Sequence, residues 1–135
     1  MFHGYLLSGT GSNVYNANLA AALRRAGHEV HLFSQDRHPE RFDFVDAVGE
    51  WRDGVLTVRT LREPVRCTAY RPDIGPVLPV FVADRYEGID ARPFPQLSEQ
   101  ELDRYLDANV EAVREVAGRV ALDAALANHL VMGPV

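Results

Sequence analysis

Ser8-Gly9-Thr10-Gly11-Ser12-Asn13 is a run of small residues near the start of the chain, and it decides the fold prediction. Glycine reaches backbone angles that other residues avoid, so this run predicts a tight loop. Ser12 can cap a helix that starts here, and Gly27 can end that helix in the left-handed conformation. Apolar residues between them recur at helical spacing: Tyr15, Leu19, Ala22, Leu23 and Ala26. The sequence therefore predicts a loop followed by a helix.

Extended segments on both sides of this helix predict a sheet. Residues 5–7 lead into the loop and Val30–Phe33 follows the helix after a short turn, so strand, loop, helix and strand succeed one another. Residues 42–48 and 55–61 are two further extended runs. Asp53-Gly54 between them is a hairpin turn signal.

The stretch between residues 63 and 95 holds most of the eight prolines, and proline neither donates to a sheet ladder nor continues a helix interior. Long irregular loops are predicted there, with one strand at residues 77–82. Ser98 and Glu101 match a capping box, which predicts a helix of about five turns. The apolar positions of that helix are Leu102, Leu106, Val110, Val113, and Val116 or Ala117. Residues 121–127 are an apolar run that suits a strand buried on both faces.

Alternating strands and helices with short turns favour an α/β fold, with a Rossmann-like parallel sheet that carries helices on both faces. No linker or internal repeat divides the chain, so residues 1–135 are predicted to form a single domain. Ligands of such sheets bind outside the carboxyl ends of the strands. Two places meet that condition: the loop from Gly9 to Asn13 after the first strand, and His129 after the last. Both are expected to open onto one crevice.

Composition argues against several classes of partner. The formal net charge is -5 and no basic stripe is visible, so binding to nucleic acid or to an anionic membrane is not expected. No stretch approaches the roughly 18 apolar residues of a membrane span, and the start of the chain lacks a signal-peptide pattern, so a cytoplasmic protein is expected. Cys67 is the only cysteine and is interpreted as a small buried hydrophobic residue.

The glycine loop can hold an anion, because free N–H groups and the helix dipole both favour negative charge at a helix start. A purely structural turn would select the same glycines, and this alternative stays open. A dinucleotide fingerprint would need a third glycine where Val14 stands, and a P-loop would need a lysine, which the chain lacks. No metal site is predicted, since His28 and His31 do not share a helical face and no Cys or acidic cluster completes a tetrahedral set.

Two histidines are placed near the predicted crevice. His129 follows Asn128 at the end of the last predicted strand, where a strand delivers side chains to the ligand side of a sheet. His3 stands in a similar position before the glycine loop. A partly buried histidine with satisfied hydrogen bonds is the alternative interpretation. The histidines assigned no role are His28, His31 and His38.

Two motifs near the two ends of the chain resemble those of family-4 glycosyltransferases, which are retaining enzymes built from two Rossmann domains. The first motif comprises Gly9-Thr10-Gly11-Ser12-Asn13-Val14-Tyr15, Leu19, Leu23 and Ala26-Gly27-His28-Glu29-Val30. It is similar to the glycine loop and the AGHEV step that open these enzymes. The second motif, residues 123–129 before Gly133-Pro134, resembles the strand that ends in a histidine beside the active site. Residues 36–95 add little to the resemblance.

The resemblance implies metal-independent transfer of a sugar from a nucleotide-sugar donor, a UDP- or GDP-sugar, to a small-molecule, glycan or lipid acceptor. This chain would mostly hold the acceptor, and no cofactor is implied. By position in the motifs, His129 would be catalytic and would hydrogen-bond the donor sugar near the reacting carbon. Gly9 and Gly11 would approach the donor phosphates or the acceptor, while Tyr5 and Asn13 would line the acceptor side. The predicted substrate-binding set is Gly9, Thr10, Gly11, Ser12, Asn13, Tyr5, His3 and Asn128.

The resemblance also sets expectations for the rest of the enzyme. The family's donor-binding basic residue and paired glutamates belong to a second domain, which is expected to start beyond Val135, so no catalysis is expected from this chain alone. Only Met1-Phe2-His3 precedes Gly4, which is short for the family's first strand, so the natural protein is expected to begin upstream. A crevice wall that normally faces the second domain would then be exposed, and self-association through it is expected.

Two other functions stay open. A stand-alone module that binds a nucleotide or a sugar would show affinity without any partner. A dinucleotide-binding fragment of an oxidoreductase would use Asp36, after the second strand, to hold a ribose. The affinities for NAD and for UDP- and GDP-sugars distinguish these functions.

Overall fold

The computed structural model describes residues 1–81 and 88–127, and within them the chain has the α/β fold that the sequence predicts. It forms two compact units. The first contains Met1–Pro72 and residues 123–127, and the second lies within Asp73–Leu122. The helices and strands are α1 (Gly11–Arg25), β1 (Val30–Phe33), β2 (Ala47–Arg52), β3 (Val55–Thr60), β4 (Cys67–Arg71), β5 (Val77–Val80), β6 (Asp90–Pro93) and α2 (Glu99–Arg119).

The helix α1 begins earlier than predicted. Thr10, not Ser12, is its N-cap: the Thr10 backbone is extended and its Oγ1 accepts a hydrogen bond from the Asn13 amide at 3.4 Å. Thr10 and Ser12 both carry a hydroxyl, so side-chain chemistry alone does not distinguish them as caps, whereas the backbone conformation does. At the other end Gly27 has φ +94°, which confirms the predicted left-handed stop.

The first unit is built on a four-stranded sheet in the order β1-β4-β2-β3. The strands β1, β4 and β2 are parallel, with Leu32 opposite Ala69 and Ala69 opposite Val48. The strand β3 returns antiparallel to β2 through the predicted turn, where Asp53 and Gly54 have φ of 51° and 74°. Two positive φ angles in a two-residue loop match the right-handed twist of the flanking strands. The hairpin prediction is confirmed.

Two strand predictions around this sheet need correction. The strand β2 begins at Ala47 rather than at residue 42, because the chain turns first and the Val45 amide donates to the Phe42 carbonyl at 3.1 Å. The strand β4 lies where only irregular loops are predicted, yet it is an inner strand of the sheet. Pro64 and Pro72 flank this strand without interrupting it, so the density of prolines concealed it.

The core of the first unit lies between α1 and one face of the sheet. Its buried members are Leu7, Ala17, Ala20, Ala21, Val30, Leu32, Phe44, Val45, Val48, Cys67 and Ala69. Three of these residues, Ala17, Ala20 and Ala21, belong to α1. Their side chains are small, so the helix can approach the strands closely. Burial raises the pKa of the Cys67 thiol to about 12, so this thiol stays protonated at neutral pH. The interpretation of Cys67 as a buried hydrophobic residue is confirmed.

Phe2 extends the sheet by single bridges rather than by a full strand. It pairs in parallel with Phe33 on one side and Ala127 on the other, and its amide donates to the Leu126 carbonyl at 2.8 Å. The prediction of a buried strand at residues 121–127 is wrong, because only Ala127 is bridged and the whole segment is exposed. A short apolar run has the same sequence pattern in a core and on an outer edge.

The second unit contains β5 and β6, which pair in parallel, and the helix α2. β5 confirms residues 77–80 of the strand predicted at 77–82, of which residue 82 lies outside the described residues. β6 lies where loops are predicted. The capping box is confirmed: Ser98 Oγ accepts from the Glu101 amide at 3.3 Å, and the Glu101 carboxylate accepts from the Ser98 amide at 2.9 Å. Both bonds fix the first turn of α2.

The buried face of α2 includes the predicted Val116 but otherwise differs from the predicted one. The buried residues are Tyr105, Asn109, Ala112 and Val116. Leu106, a predicted core position, is 37% exposed. Asn109 is buried because its amide donates to the Tyr105 carbonyl at 2.7 Å, and this bond is invisible to a count of apolar residues.

A buried carboxylate, Asp46, joins three parts of the first unit. Arg24 at the end of α1 donates to both of its oxygens, from Nε at 2.8 Å and from Nη2 at 2.7 Å. The amides of Arg66 and Cys67, where β4 begins, each donate to Asp46 Oδ2 at 3.0 Å. These four bonds connect the helix to an inner strand of the sheet, and the guanidinium of Arg24 holds the pKa of the Asp46 carboxyl below its ordinary value.

We expect this carboxylate to make stability depend on acid. Because the pKa of Asp46 is lower in the folded chain than in the unfolded chain, its contribution is fully present above about pH 5 and is lost as pH falls through the folded pKa. Urea unfolding between pH 7 and pH 3 should show the free energy of unfolding falling across this window. The variant Asp46→Asn should be less stable at pH 7 and should show a shallower fall. Equal slopes in the two proteins would contradict the assignment.

Candidate functional site

The glycine loop of the structure, residues 4–10, connects Phe2 and His3 to α1, and it takes the place of the extended segment predicted at residues 5–7, which is not a strand. Open space lies beside Gly9 of this loop and beside Gly11, the first residue of α1. Gly9 has φ +95°, a conformation that side-chain-bearing residues rarely adopt. Gly9 and Gly11 are both exposed, and a Cβ added at either position would meet no atom within 4 Å. The positive φ angle therefore explains why position 9 is a glycine. The open space allows another molecule to approach the backbone at both positions.

The inner side of the loop is held by a buried pair, His3 and Asn13. The side-chain Nδ2 of Asn13 donates to the Ser8 carbonyl at 2.7 Å, which leaves the Asn13 Oδ1 3.1 Å from His3 Nε2. His3 Nε2 also lies 2.9 Å from the Leu6 carbonyl, so two acceptors surround this nitrogen and favour the tautomer that donates from Nε2. His3 and Asn13 are 1% and 2% exposed. The structure therefore places both predicted substrate-binding residues inside the loop, where they fix its shape.

A second set of contacts comes from the chain after β1. Asp36 is buried, and its carboxylate accepts from the Leu7 amide at 3.1 Å and from the His38 amide at 3.0 Å. Arg41 Nη2 donates to Asp36 Oδ2 at 3.2 Å and to Ser8 Oγ at 2.8 Å. Hydrogen bonds from the Leu7 amide to Asp36 and from Arg41 to Ser8 therefore connect the glycine loop to residues 36–41.

Arg41 is the site residue that the sequence analysis missed. Its side chain is about half exposed, at 52%, and it lies against the loop at Ser8 and over the Phe42 ring at 5.0 Å. No motif or periodicity marks this arginine, because it lies in a short 3₁₀ turn, Pro39–Arg41, far from the loop in sequence. Only the folded chain brings its positive charge to Gly9 and its neighbours.

The remaining predicted loop residues have mixed positions. Tyr5 is buried and lies edge-on to His3, with ring centroids 5.7 Å apart. Thr10 uses its hydroxyl oxygen to cap α1, and the Ser12 carbonyl accepts from the Asn16 amide at 2.9 Å. These contacts are internal to the protein. Contact of Tyr5, Thr10 and Ser12 with a substrate stays a prediction.

The electrostatics of the exposed loop favour an anion. The first turn of α1 contains no acidic residue, so the positive end of the helix dipole is not offset there. Asp36, whose carboxylate accepts from the Leu7 amide of the loop, is paired with the guanidinium of Arg41. Exposed backbone at Gly9 and Gly11, a helix start and one half-exposed guanidinium together form a surface that suits a phosphate or a carboxylate.

The predicted catalytic histidine, His129, and its neighbour Asn128 lie outside the described residues. The described chain leads up to them at Ala127, which is bridged in parallel to Phe2. Parallel neighbours point their carboxyl ends to the same edge of a sheet. The segment that ends at Ala127 therefore runs toward the edge at which His3 and the glycine loop begin.

No known family profile, curated protein or solved structure matches this chain. The resemblance to family-4 glycosyltransferases therefore depends on the quoted motifs. Among residues 1–81 and 88–127, no three His, Cys, Asp or Glu side chains are grouped so that they could hold a metal ion. Within the same two segments, no helix has the length and apolar character needed to cross a membrane.

Proposed function

We propose that this chain is the Rossmann-like, acceptor-side half of a retaining glycosyltransferase that uses a UDP- or GDP-sugar donor. The observation that carries the proposal is the loop at Gly9, with its open backbone, the acid-free start of α1 and the guanidinium of Arg41. The order of the two motifs supports the same function. Under this proposal the acceptor and part of the donor diphosphate lie against the exposed loop.

The chemistry of such a transfer needs charge stabilisation more than a metal. Departure of a nucleoside diphosphate builds negative charge, and preorganised N–H groups stabilise it without rearranging. In this proposal the first N–H groups of α1 and the guanidinium of Arg41 supply that stabilisation. His129 hydrogen-bonds the donor sugar, and Asn128 and the loop residues Thr10 and Ser12 contact the substrate. His3, Tyr5 and Asn13 keep the loop in shape beneath it.

Calorimetric titration with UDP-glucose, GDP-mannose and NAD tests the proposal, because binding does not require turnover. We expect at least one sugar nucleotide to bind measurably and NAD to bind much more weakly. Tight binding of NAD, with no heat from either sugar nucleotide, would overturn the proposal in favour of a dinucleotide-binding fragment. Binding of neither class would leave the glycine loop with only its structural role and would also overturn it.

Arg41 gives a matched test of the charge at the loop. Replacing Arg41 by Gln removes the guanidinium beside Ser8, and we expect the dissociation constant of the bound sugar nucleotide to rise about tenfold, as loss of one charge-assisted hydrogen bond predicts. The control is Arg37→Gln, which removes an exposed positive charge from the same segment. Equal affinities in the two variants would contradict a specific role for Arg41.

The oxidoreductase alternative is supported less well by the geometry. It requires Asp36 to hold a ribose, yet the Asp36 carboxylate already accepts from two backbone amides and from Arg41. Asp36 is also 3% exposed, so a ribose could reach it only after these contacts are broken. The carboxylate that follows β1 therefore supports the loop, and burial keeps it from a ligand in this conformation.

A further inference from the structure

A groove of about 450 Å³ lies within the second unit, between the chain around β5 and the first turns of α2. Its volume falls in the range of sites for small organic molecules. Apolar side chains of Ile74, Val77, Pro79 and Leu97 line one part of it. Gln100 and Arg104, on α2, supply polar groups at its margin. Apolar and polar groups therefore line the groove in comparable amounts, and Arg104 and Glu101 are its charged members.

The walls of the groove are fixed by contacts within the second unit. Gly75 has φ +89°, and its amide donates to Asp73 Oδ1 at 3.2 Å. A Cβ added to Gly75 would lie 2.9 Å from Arg104 Nε, so the arginine packs directly on the Gly75 backbone. Ile74 and Val77 are buried on either side of this turn. The turn at Gly75 therefore lies directly against the Arg104 side chain.

The charge of the groove is set by Arg104. Glu101 also lines it, but the Glu101 carboxylate accepts from the Ser98 amide at 2.9 Å and pairs with Arg92 of β6. The contact between Arg104 and Asp73 spans 3.7 Å, and both side chains are more than half exposed. Such a pair is weak in water, so its guanidinium can exchange Asp73 for a ligand anion.

We propose that this groove binds an amphipathic organic anion. Its apolar body lies on Val77, Pro79 and Leu97, and its carboxylate, sulfonate or phosphate pairs with Arg104. Gln100 supplies a further hydrogen-bond donor at the same margin. The inference is independent of the sugar-nucleotide site, because all of its residues belong to the second unit.

The test uses two fluorescent probes that differ in charge, anilinonaphthalene sulfonate and the neutral N-phenylnaphthylamine. We expect the intact chain to bind the sulfonate saturably and about tenfold more tightly than the neutral probe, since one charge-assisted contact distinguishes them. In Arg104→Gln this preference should disappear while binding of the neutral probe persists. Arg104→Lys keeps the charge and should keep part of the preference. Amide shifts at Gly75 and Gln100 should report the bound probe.

The matched control is Arg119→Gln. Arg119 lies on the same helix, is about as exposed as Arg104 and also pairs with a carboxylate, that of Glu115. The control should bind both probes as the unaltered chain does. The proposal is overturned by a lack of saturable binding, by equal affinity for the two probes, by a preference that survives Arg104→Gln, or by equal losses in the two glutamine variants.

Discussion

Replacing Asp46 by Ala should lower the free energy of unfolding by roughly 2–4 kcal/mol, because two backbone amides and the partly exposed guanidinium of Arg24 lose a charged acceptor. The side chain of Asp46 is fully buried and accepts four hydrogen bonds, two from Arg24 and one each from the amides of Arg66 and Cys67. Without it, the buried amide of Cys67 loses its acceptor and α1 loses its link to β4. Urea unfolding at pH 7 gives the measurement.

The control for this change is Asp43→Ala. Asp43 has the same charge and lies three residues away, but its side chain is exposed. We expect its replacement to change the free energy of unfolding by less than about 0.5 kcal/mol, as is usual for surface positions. If the two variants were equally stable, the buried network would not stabilise the fold as its geometry suggests.

Replacing Asp36 by Ala should both destabilise the chain and loosen the glycine loop. The carboxylate accepts from the amides of Leu7 and His38, and a buried amide that loses its acceptor costs about 1–3 kcal/mol. We expect a loss of about 2–3 kcal/mol in total, because the bond to Arg41 is removed as well. Hydrogen exchange at the Leu7 amide should accelerate more than exchange in the core of β4.

The same variant separates two functions of the site. If Asp36 only supports the loop, its loss should weaken sugar-nucleotide binding together with the protection of the Leu7 amide. If Asp36 instead held a ribose, NAD affinity would fall while sugar-nucleotide affinity stayed unchanged. The second pattern would contradict the supporting role. The control Asp73→Ala removes an exposed carboxylate in the second unit and should alter neither readout at the loop.

Sequence alone predicts this fold best where a feature depends only on residues that are close together in the chain. The turn at Asp53 and Gly54, the cap at Ser98 and the stop at Gly27 were predicted because each depends on residues within a few positions of one another. The strand β4 was missed because its pairing partners lie in β1 and β2, and the composition of neighbouring loops concealed it.

The candidate site also contains residues that the sequence predicts and residues that only the folded chain brings together. The glycine loop was found from its own residues, whereas Asp36 and Arg41 reach it only through the fold. His3 and Asn13 were expected to face a substrate, and the structure shows them bonded to each other and to the loop backbone. A sequence identifies a polar residue near a loop, but which way its side chain points depends on packing that no motif records.

Under the proposed function, the glycine loop and His129 serve one sugar-nucleotide site. The most direct measurement is an NMR titration with UDP-glucose or GDP-mannose, following the amides of Gly9 and Gly11 together with the imidazole of His129. We predict that one sugar nucleotide shifts all three signals with a single dissociation constant. Shifts at the glycines without any change at His129, or at His129 without any change at the glycines, would contradict the claim.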